Sequence, residues 1–325
     1  MAAIKRILIT GGLGFIGQHL SQLLESRGYE VTILDRTGGE GTASNSKDGG
    51  RIIHAELTSN LPSGLTTKFD AVFHLANVLN INEIIKNPTH AIRNNLESTL
   101  YLLEDIRLHN PQCLLVFSSS EKAYGRPAFS MVKEIERPSP VDPYGASKLM
   151  CEIAIQSYSH TYGIQYVIIR SGNVFGPGQS PALFIPSVMS RIGRGEKEIL
   201  VGSLEARRNF VYVEDLCQAY LKCLEKRDGQ GQIFNVCAYS KSMQEVADTI
   251  KEIAEKHGKT GISYVRDESR VRSSSLEANF QMNCELANEL LGWEPEVSFN
   301  EALAKTFLHY AKLNAGVAHV KAEEK

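Results

Sequence analysis

The sequence predicts an α/β chain, a doubly wound parallel sheet with helices on both faces, followed by a smaller C-terminal α/β lobe. Three observations carry this. Up to about residue 170, short apolar runs alternate with helical stretches. A glycine-rich turn, Thr10-Gly11-Gly12-Leu13-Gly14-Phe15-Ile16-Gly17, follows the first of these runs directly. From Gly172 the pattern loosens, and Gly176-Pro177-Gly178 marks a break. The domain boundaries expected are 1–171 and 172–325, with some late segments returning to the first domain. No internal repeat is present.

The elements follow in order. Ile4 to Ile9, interrupted by Lys5 and Arg6, reads as a buried parallel strand. Gln18 to Arg27 places Leu20, Leu23 and Leu24 at helical spacing, and Gly28 stands where a helix stops. Val31 to Leu34 is a second strand that ends on Asp35. Thr37 to Gly50 is rich in Gly, Ser and Thr without apolar spacing, which predicts a mobile surface loop. Ile52-Ile53, Asp70 to Leu75, Leu114 to Phe117 and Tyr166 to Arg170 supply further strands. Ser242 to Ile253 predicts a helix with Met243, Val246, Ala247 and Ile250 on its core face. Ala315 to Lys325 is expected to fray.

The strand–turn–helix–strand order gives the glycines a chemical meaning. Glycines at 11, 14 and 17 permit a tight turn and close backbone approach, so a helix N-terminus can face a pyrophosphate. This is a Rossmann-type cofactor turn, and its candidate contacts are Gly11, Gly14, Phe15, Ile16 and Gly17. Asp35 follows at the distance where a carboxylate accepts from the adenine ribose hydroxyls. A carboxylate there favours NAD over NADP, whose 2′-phosphate would meet a negative charge, although Arg36 lies beside it.

A second signal is Tyr144-Gly145-Ala146-Ser147-Lys148. Residues four apart share a helix face, and Pro143 suits the start of a helix. An unperturbed phenol titrates near ~10 and is a poor base at neutral pH. A nearby ammonium and the positive nicotinamide of NAD⁺ are expected to pull the Tyr144 pKa down.

Leu114 to Phe117 runs into Ser118-Ser119-Ser120-Glu121-Lys122-Ala123-Tyr124-Gly125. Here the sequence resembles the extended short-chain dehydrogenase/reductase family, the nucleotide-sugar epimerases (UDP-glucose 4-epimerases among them) and 4,6-dehydratases. The resemblance spans nearly the whole chain. It includes Phe73-His74-Leu75-Ala76, Asn95 with Ser98-Thr99, and Asn173-Val174-Phe175-Gly176-Pro177-Gly178. It continues through Arg208-Asn209-Phe210-Val211-Tyr212-Val213-Glu214-Asp215, Phe234-Asn235-Val236 and Leu291-Gly292-Trp293-Glu294-Pro295.

The resemblance implies roles for the matching residues. Tyr144 would take the proton from a sugar hydroxyl while NAD⁺ takes the hydride from the same carbon. Lys148 would hold the tyrosine pKa down and bind the nicotinamide ribose, and Ser120 would orient the hydroxyl and then the ketone. Glu56-Leu57 resembles the adenine-contacting segment, and Leu75, Ala76, Asn77, Asn95 and Ser118 complete the implied cofactor contacts. Asn173, Arg208, and either Arg270 or Arg272 would touch the nucleotide diphosphate, a task that suits the bidentate guanidinium. The helices near Asn95 to Leu108 and at Tyr144 resemble a pair that forms a homodimer interface in relatives.

The chain also departs from the family pattern. Asn77 stands where a second alanine is usual, Val78 to Ile85 lacks the usual serine and charged residues, Gly172 replaces a bulky residue, and Asn209 replaces aspartate. These changes leave the hydride machinery intact and the sugar open.

Two reactions compete. Serine at 120 favours a 4-epimerase, in which the ketone turns over and regains its hydride, and this is the first reading. Glu121-Lys122 resembles the acid/base pair of the dehydratases, which removes the proton at carbon 5 and expels water from carbon 6. A ketoreductase, or a non-catalytic NAD-binding sensor, stands behind both. Ser120, Tyr144 and Lys148 have no task in a pure sensor.

At 325 residues the chain is long enough for two joined domains. A net charge of −2 gives no electrostatic footprint for nucleic acid. No apolar run reaches membrane-spanning length, and the chain enters a strand without a signal peptide. The six cysteines lack paired spacing and read as reduced thiols of a cytoplasmic protein. The nine histidines show no ligand pattern, so no metal is expected, and His74 reads as a packed or cofactor-side residue.

Overall fold

The computed structural model describes residues 4–36, 43–45, 51–57, 63–78, 84, 86–270 and 280–323. Its strands are β1 (Arg6–Thr10), β2 (Glu30–Asp35), β3 (Ala43–Asn45), β4 (Arg51–His54), β5 (Ala71–His74), β6 (Leu114–Ser120), β7 (Met131–Val132) and β8 (Tyr166–Ser171). They continue as β9 (Asn173–Phe175), β10 (Glu198–Val201), β11 (Arg207–Tyr212), β12 (Gln232–Val236), β13 (Tyr239–Ser242), β14 (Ser263–Arg266) and β15 (Gln281–Met282). The α-helices are α1 (Phe15–Ser26), α2 (Pro88–His109), α3 (Pro143–Tyr162), α4 (Phe184–Gly193), α5 (Val213–Glu225), α6 (Met243–Lys256) and α7 (Phe299–Glu323).

The chain forms two compact units, and the first comprises Met1–Gly172, Leu216–Val236 and Met282–Glu294. Its sheet has the order β12-β8-β6-β5-β1-β2-β4-β3. Every adjacent pair is parallel except β3 against β4. Ile7, Leu8, Ile9, Val72, Phe73, Leu115 and Val116 are fully buried, as central strands covered on both faces require. Leu102, Leu103 and Ile106 of α2 and Cys151 and Ile155 of α3 join that core. Gly28 ends the first helix region with φ +84°, and Gly163 caps α3 in the left-handed conformation.

The second unit comprises Asn173–Asp215, Cys237–Gln281 and Pro295–Lys325. It holds a sheet of order β13-β11-β9 and the parallel pair β10–β14. Phe175 gathers Phe210, Tyr212, Tyr239 and Phe299 around its ring. Ser242 and Glu245 form a capping box at the start of α6, and Val246, Ala247, Ile250, Ile253 and Ala254 are its buried face. Met243, at the end of that face, is only half-buried.

Several expectations are corrected here. Within the expected loop 37–50, Ala43–Asn45 pairs antiparallel with β4 as an edge strand, and the rest lies outside the described residues. Most of 78–85 lies outside them too. The chain is helical through Glu323 rather than frayed from Ala315. Among the described residues, no helix is long and apolar enough to cross a membrane.

Candidate active site

The strand order reverses at β1, which lies between β2 and β5, so a crevice opens at the carboxyl ends of these strands. The glycine turn occupies its start, and each glycine has its own reason. Gly11 has φ +72°, and a Cβ there would lie 2.7 Å from Ala76 N. A Cβ on Gly17 would lie 2.5 Å from Gly11 O, so this glycine lets α1 close onto the turn. A Cβ on Gly14 would meet only Gly11 O, at 3.2 Å. Gly14 is also the N-cap of α1, which has no side-chain cap and no acid in its first turn. The amides of that turn are thus presented on the glycine's open side, a cradle that fits a dinucleotide's pyrophosphate.

Asp35 ends β2, and its Oδ2 accepts the Leu13 N–H at 3.0 Å, which fastens the turn to the strand. Arg36 beside it is exposed. Past β4, Glu56 is exposed and Leu57 buried; past β5, Leu75, Ala76 and Asn77 are half-buried. Thr10 holds this last segment. Its hydroxyl accepts the Ala76 N–H at 3.3 Å and pairs with His74 Nδ1 at 2.8 Å, while His74 Nε2 meets Thr99 Oγ1 at 3.1 Å. Burial, and then the charge of Lys148, press the His74 pKa down to about 3, so the ring is neutral and acts as a packed polar pin.

Asn95, an expected cofactor contact, is also engaged by the protein. It is 3 % exposed, its Oδ1 accepts the Val78 N–H at 2.9 Å, and its Nδ2 donates to Ser147 Oγ at 3.0 Å. With both polar ends engaged by protein, it supports the loop after β5 and the start of α3 from behind.

Tyr144 enters with α3. Asp142 caps that helix by accepting the Gly145 N–H at 2.8 Å, and Pro143 takes its first position. Gly145 is a site residue that the sequence reading missed. A Cβ there would lie 2.3 Å from Lys122 O, so only glycine lets the helix touch the turn after Ser120. That contact seats Tyr144 near Ser120 and Asn77, whose polar side chains favour its phenolate. Ser120 Oγ itself accepts the Lys122 N–H at 3.2 Å, which leaves its proton to donate. Lys148, one turn along, is buried; its Nζ donates to Ser118 O at 2.5 Å and stands 4.7 Å from the Phe117 ring and 5.9 Å from that of Tyr144.

The protein alone, without the charge of NAD⁺, sets the starting point. Burial raises the Tyr144 pKa above the ordinary phenol range, against the lowering influence of Ser120 and Asn77 nearby, and Asp142 adds to the rise. Burial also lowers the Lys148 pKa to about 8. The protein alone therefore keeps the phenol protonated, and the lysine is not close enough to reverse that.

Behind the site lies a second group the sequence did not disclose. Arg170 and Glu152 form an ion pair at 2.6 Å with side chains 2 % and 0 % exposed. Ser119 donates to the same Glu152 carboxylate. The Arg170 guanidinium lies 4.5 Å over the Tyr124 ring, and Tyr124 donates to Asn235 Oδ1 at 2.8 Å. One network thus links β6, α3, β8 and β12. Its only sequence signal is Glu152 one turn beyond Lys148 on the same helix.

Glu121 is buried, 6 % exposed, at the first position of the short 3₁₀ turn that Ser120 caps, with Lys122 half-buried next to it. In the second unit, Asn173 Nδ2 donates to Asn209 O at 3.0 Å. Arg208 Nη1 donates to the Arg207 carbonyl at 3.1 Å, and Arg270 pairs with Asp267 at 3.1 Å. Arg272 lies outside the described residues. Among the described residues no cluster of His, Cys, Asp or Glu could hold a metal, and none of the six cysteines is in a disulfide.

Three comparisons bear on this geometry. A family model described as NAD dependent epimerase/dehydratase matches residues 7–237. A Methanocaldococcus jannaschii protein that carries a provisional UDP-glucose 4-epimerase name is 30% identical, over 95% of this chain and 99% of its own. A dTDP-D-glucose 4,6-dehydratase of Mus musculus is 28% identical, over 95% of this chain and 89% of its own. Among solved structures, the Thermotoga maritima UDP-glucose 4-epimerase with UDP-glucose superposes with a TM-score of 0.83 at 28% identity, over 95% of this chain and 99% of that one.

Proposed function

Since the chain belongs to the NAD-dependent epimerase/dehydratase family, we propose that it is a nucleotide-sugar 4-epimerase. The observation that carries this reading is the half-buried Tyr144 seated near Ser120, with Lys148 one turn away and 5.9 Å from its ring. In this reading Tyr144 Oη accepts the proton of the sugar 4-hydroxyl. Ser120 donates to the same sugar oxygen and holds it as the carbonyl forms. Tyr144 then returns the proton after the ketone has turned over. NAD, held by Gly11, Gly14, Phe15, Ile16, Gly17 and Asp35, supplies the hydride acceptor and a positive charge that favours the phenolate. Lys148 holds the nicotinamide ribose and keeps the phenol region positive. Asn173, Arg208, and Arg270 or Arg272 serve as contacts to the nucleotide diphosphate.

One observation favours a second reading, 4,6-dehydration. Glu121 places a buried carboxyl directly after Ser120, with Lys122 beside it. Such a pair can remove one proton and deliver another to a leaving hydroxyl. Exposed Leu108 on α2, with Met150, Ile153 and Tyr162 on α3, supports a homodimer through these helices, and a monomeric mass in solution would refute it.

The test is to incubate the protein and NAD⁺ with UDP-, dTDP-, CDP- and GDP-hexoses and follow products by mass spectrometry and proton NMR. An unchanged mass with an inverted ring proton is expected. A product lighter by one water would instead assign Glu121 and Lys122 to elimination. No turnover, with NAD bound equally well by Tyr144→Phe, would point to a sensor.

A further inference from the structure

Between the glycine turn and α3 runs a series of buried hydrogen bonds in which each group has one way to place its proton. Thr10, His74, Thr99, Asn95 and Ser147 are at most 3 % exposed, so they must satisfy one another. Thr99 Oγ1 donates its single proton to Asn95 O at 2.9 Å. It therefore meets His74 Nε2, at 3.1 Å, as an acceptor, and that nitrogen carries the hydrogen. In a neutral imidazole Nδ1 is then the acceptor, and the Thr10 hydroxyl, 2.8 Å away, donates to it. Thr10 Oγ1 keeps its lone pairs for the Ala76 N–H at 3.3 Å. A second proton on the ring would turn an N–H onto the Thr10 oxygen and deprive the Thr10 proton of its acceptor.

Asn95 carries the series onward. Its Oδ1 accepts the Val78 N–H at 2.9 Å, its Nδ2 donates to Ser147 Oγ at 3.0 Å, and Ser147 donates in turn to Tyr144 O at 2.8 Å. One end is therefore Ala76, against which Gly11 is pressed so closely that a Cβ there would lie 2.7 Å from Ala76 N. The other end is the first turn of α3, the seat of Tyr144. These two seats hold the hydride acceptor and the proton acceptor of the proposed reaction. An imidazole with one hydrogen offers an acceptor to β1 and a donor to α2, so the ring is the hub that joins them. We propose that His74 is a positioning residue: fixed as the neutral tautomer with its hydrogen on Nε2, it holds the cofactor turn and the seat of Tyr144 in one frame. Every bond of the relay from the Ala76 N–H to the Tyr144 carbonyl donates in the same direction. This rests on the reading of Tyr144 as the acid/base, since proton and hydride must leave the same carbon of the sugar.

The experiment uses the full chain, isotope-labelled at its histidine ring nitrogens, and needs no sugar. Proton–nitrogen NMR at pH 7 shows which ring nitrogen carries the hydrogen, and the resonances lost in His74→Gln identify His74. Should that variant fail to fold, the resonances that move in Thr99→Ser identify it instead. A hydrogen on Nε2 is expected, and a hydrogen on Nδ1, or on both nitrogens, would overturn the proposal. The second arm measures NAD⁺ binding by calorimetry, beside thermal melts, in Thr99→Val and Thr99→Ser. Thr99 is fully buried in α2, and valine keeps its shape without the hydroxyl. With that hydrogen bond lost, the Ala76 segment leaves its seat in most molecules. The apparent Kd then rises by the inverse of the seated fraction, about tenfold. Thr99→Ser, which restores the hydroxyl, should bind like wild type. A lower Tm with an unchanged Kd in Thr99→Val would reduce His74 to packing and overturn the proposal, while leaving Tyr144 as the acid/base. Should Thr99→Val fail to fold, the tautomer decides alone. Turnover of the hexose panel retained by Tyr144→Phe would refute the acid/base reading, and this proposal with it.

Discussion

Gly145→Ala tests how tightly the reaction depends on the seat of Tyr144. A Cβ at this position would stand 2.3 Å from Lys122 O and 2.9 Å from Lys122 C, both backbone atoms that cannot swing aside. Real Cβ contacts stop near 3.0 Å, so the start of α3 must retreat from the 3₁₀ turn by at least 0.7 Å, the gap between 2.3 and 3.0 Å. Ser120 caps that turn, and Tyr144 adjoins the substituted residue. The retreat therefore falls on the approach of Tyr144 to Ser120. A misplacement of about 1 Å costs on the order of 100-fold in rate, whereas overpacking costs the fold about 1–3 kcal/mol. We expect kcat to fall between 10- and 100-fold, with Tm lower by a few degrees and NAD affinity unchanged, because the glycine turn is untouched. The assay pairs steady-state kinetics on the substrate found in the hexose panel with calorimetric NAD titration and thermal melts. A kcat within threefold of wild type in a variant with an unshifted Tm would refute the reasoning, for the contact would then be free to relax without moving the phenol.

The remaining predictions concern charge. Glu152→Gln leaves the Arg170 guanidinium buried without a counter-charge, so urea denaturation should show a loss of about 3–5 kcal/mol. The joint change Glu152→Leu with Arg170→Met should recover most of it, and a single-variant loss under about 1 kcal/mol would refute the assignment. Lys148→Met should abolish turnover yet raise stability at pH 7. The folded lysine has its pKa lowered to about 8 from 10.5, so between those values the unfolded chain holds a proton that the folded chain has lost, and stability rises with pH. Below pH 8 the buried charge costs the fold about 3 kcal/mol, which the methionine removes. The Tm advantage of the variant should shrink as pH rises through that window, and its absence at pH 7 would count against a costly buried ammonium.

The central sheet was legible because its strands are buried on both faces and read as unbroken apolar runs. The glycine turn was legible because steric demands at Gly11 and Gly17 leave no other residue possible. Tyr144, Lys148 and Ser120 stood out as chemistry-bearing residues in a familiar order. The sequence was silent on what long-range packing decides. Gly145 looks like any glycine near a helix start until Lys122 O is found against it. Glu152 looks like a solvated helix residue until Arg170, eighteen residues on, closes over it in the interior. Asn95 carried a role by resemblance, and the sequence did not disclose its ties to the Val78 N–H and the Ser147 hydroxyl. For the protein without NAD⁺, burial sets the direction of the Tyr144 pKa, and sequence supplies the neighbouring charge but not the depth of burial.

The edge strand β12 has a consequence for how this chain can be made and cut. It pairs along β8 from Gln232 to Val236, yet it is encoded some sixty residues after β8. A fragment that ends at Gly172 would leave the whole outer rim of β8 unpaired, an open template for joining other chains. It would also lack Asn235, which receives Tyr124 and binds the carbonyls of Val132 and Asn283. On the ribosome the same gap means that the sheet stays unfinished until residue 236 has emerged, so the growing chain passes through a stretch of synthesis in which a chaperone is the natural cover for that rim. Expression of the first 172 residues alone should therefore yield aggregates, while a permuted chain that splices β12 behind β8 would remove the vulnerability.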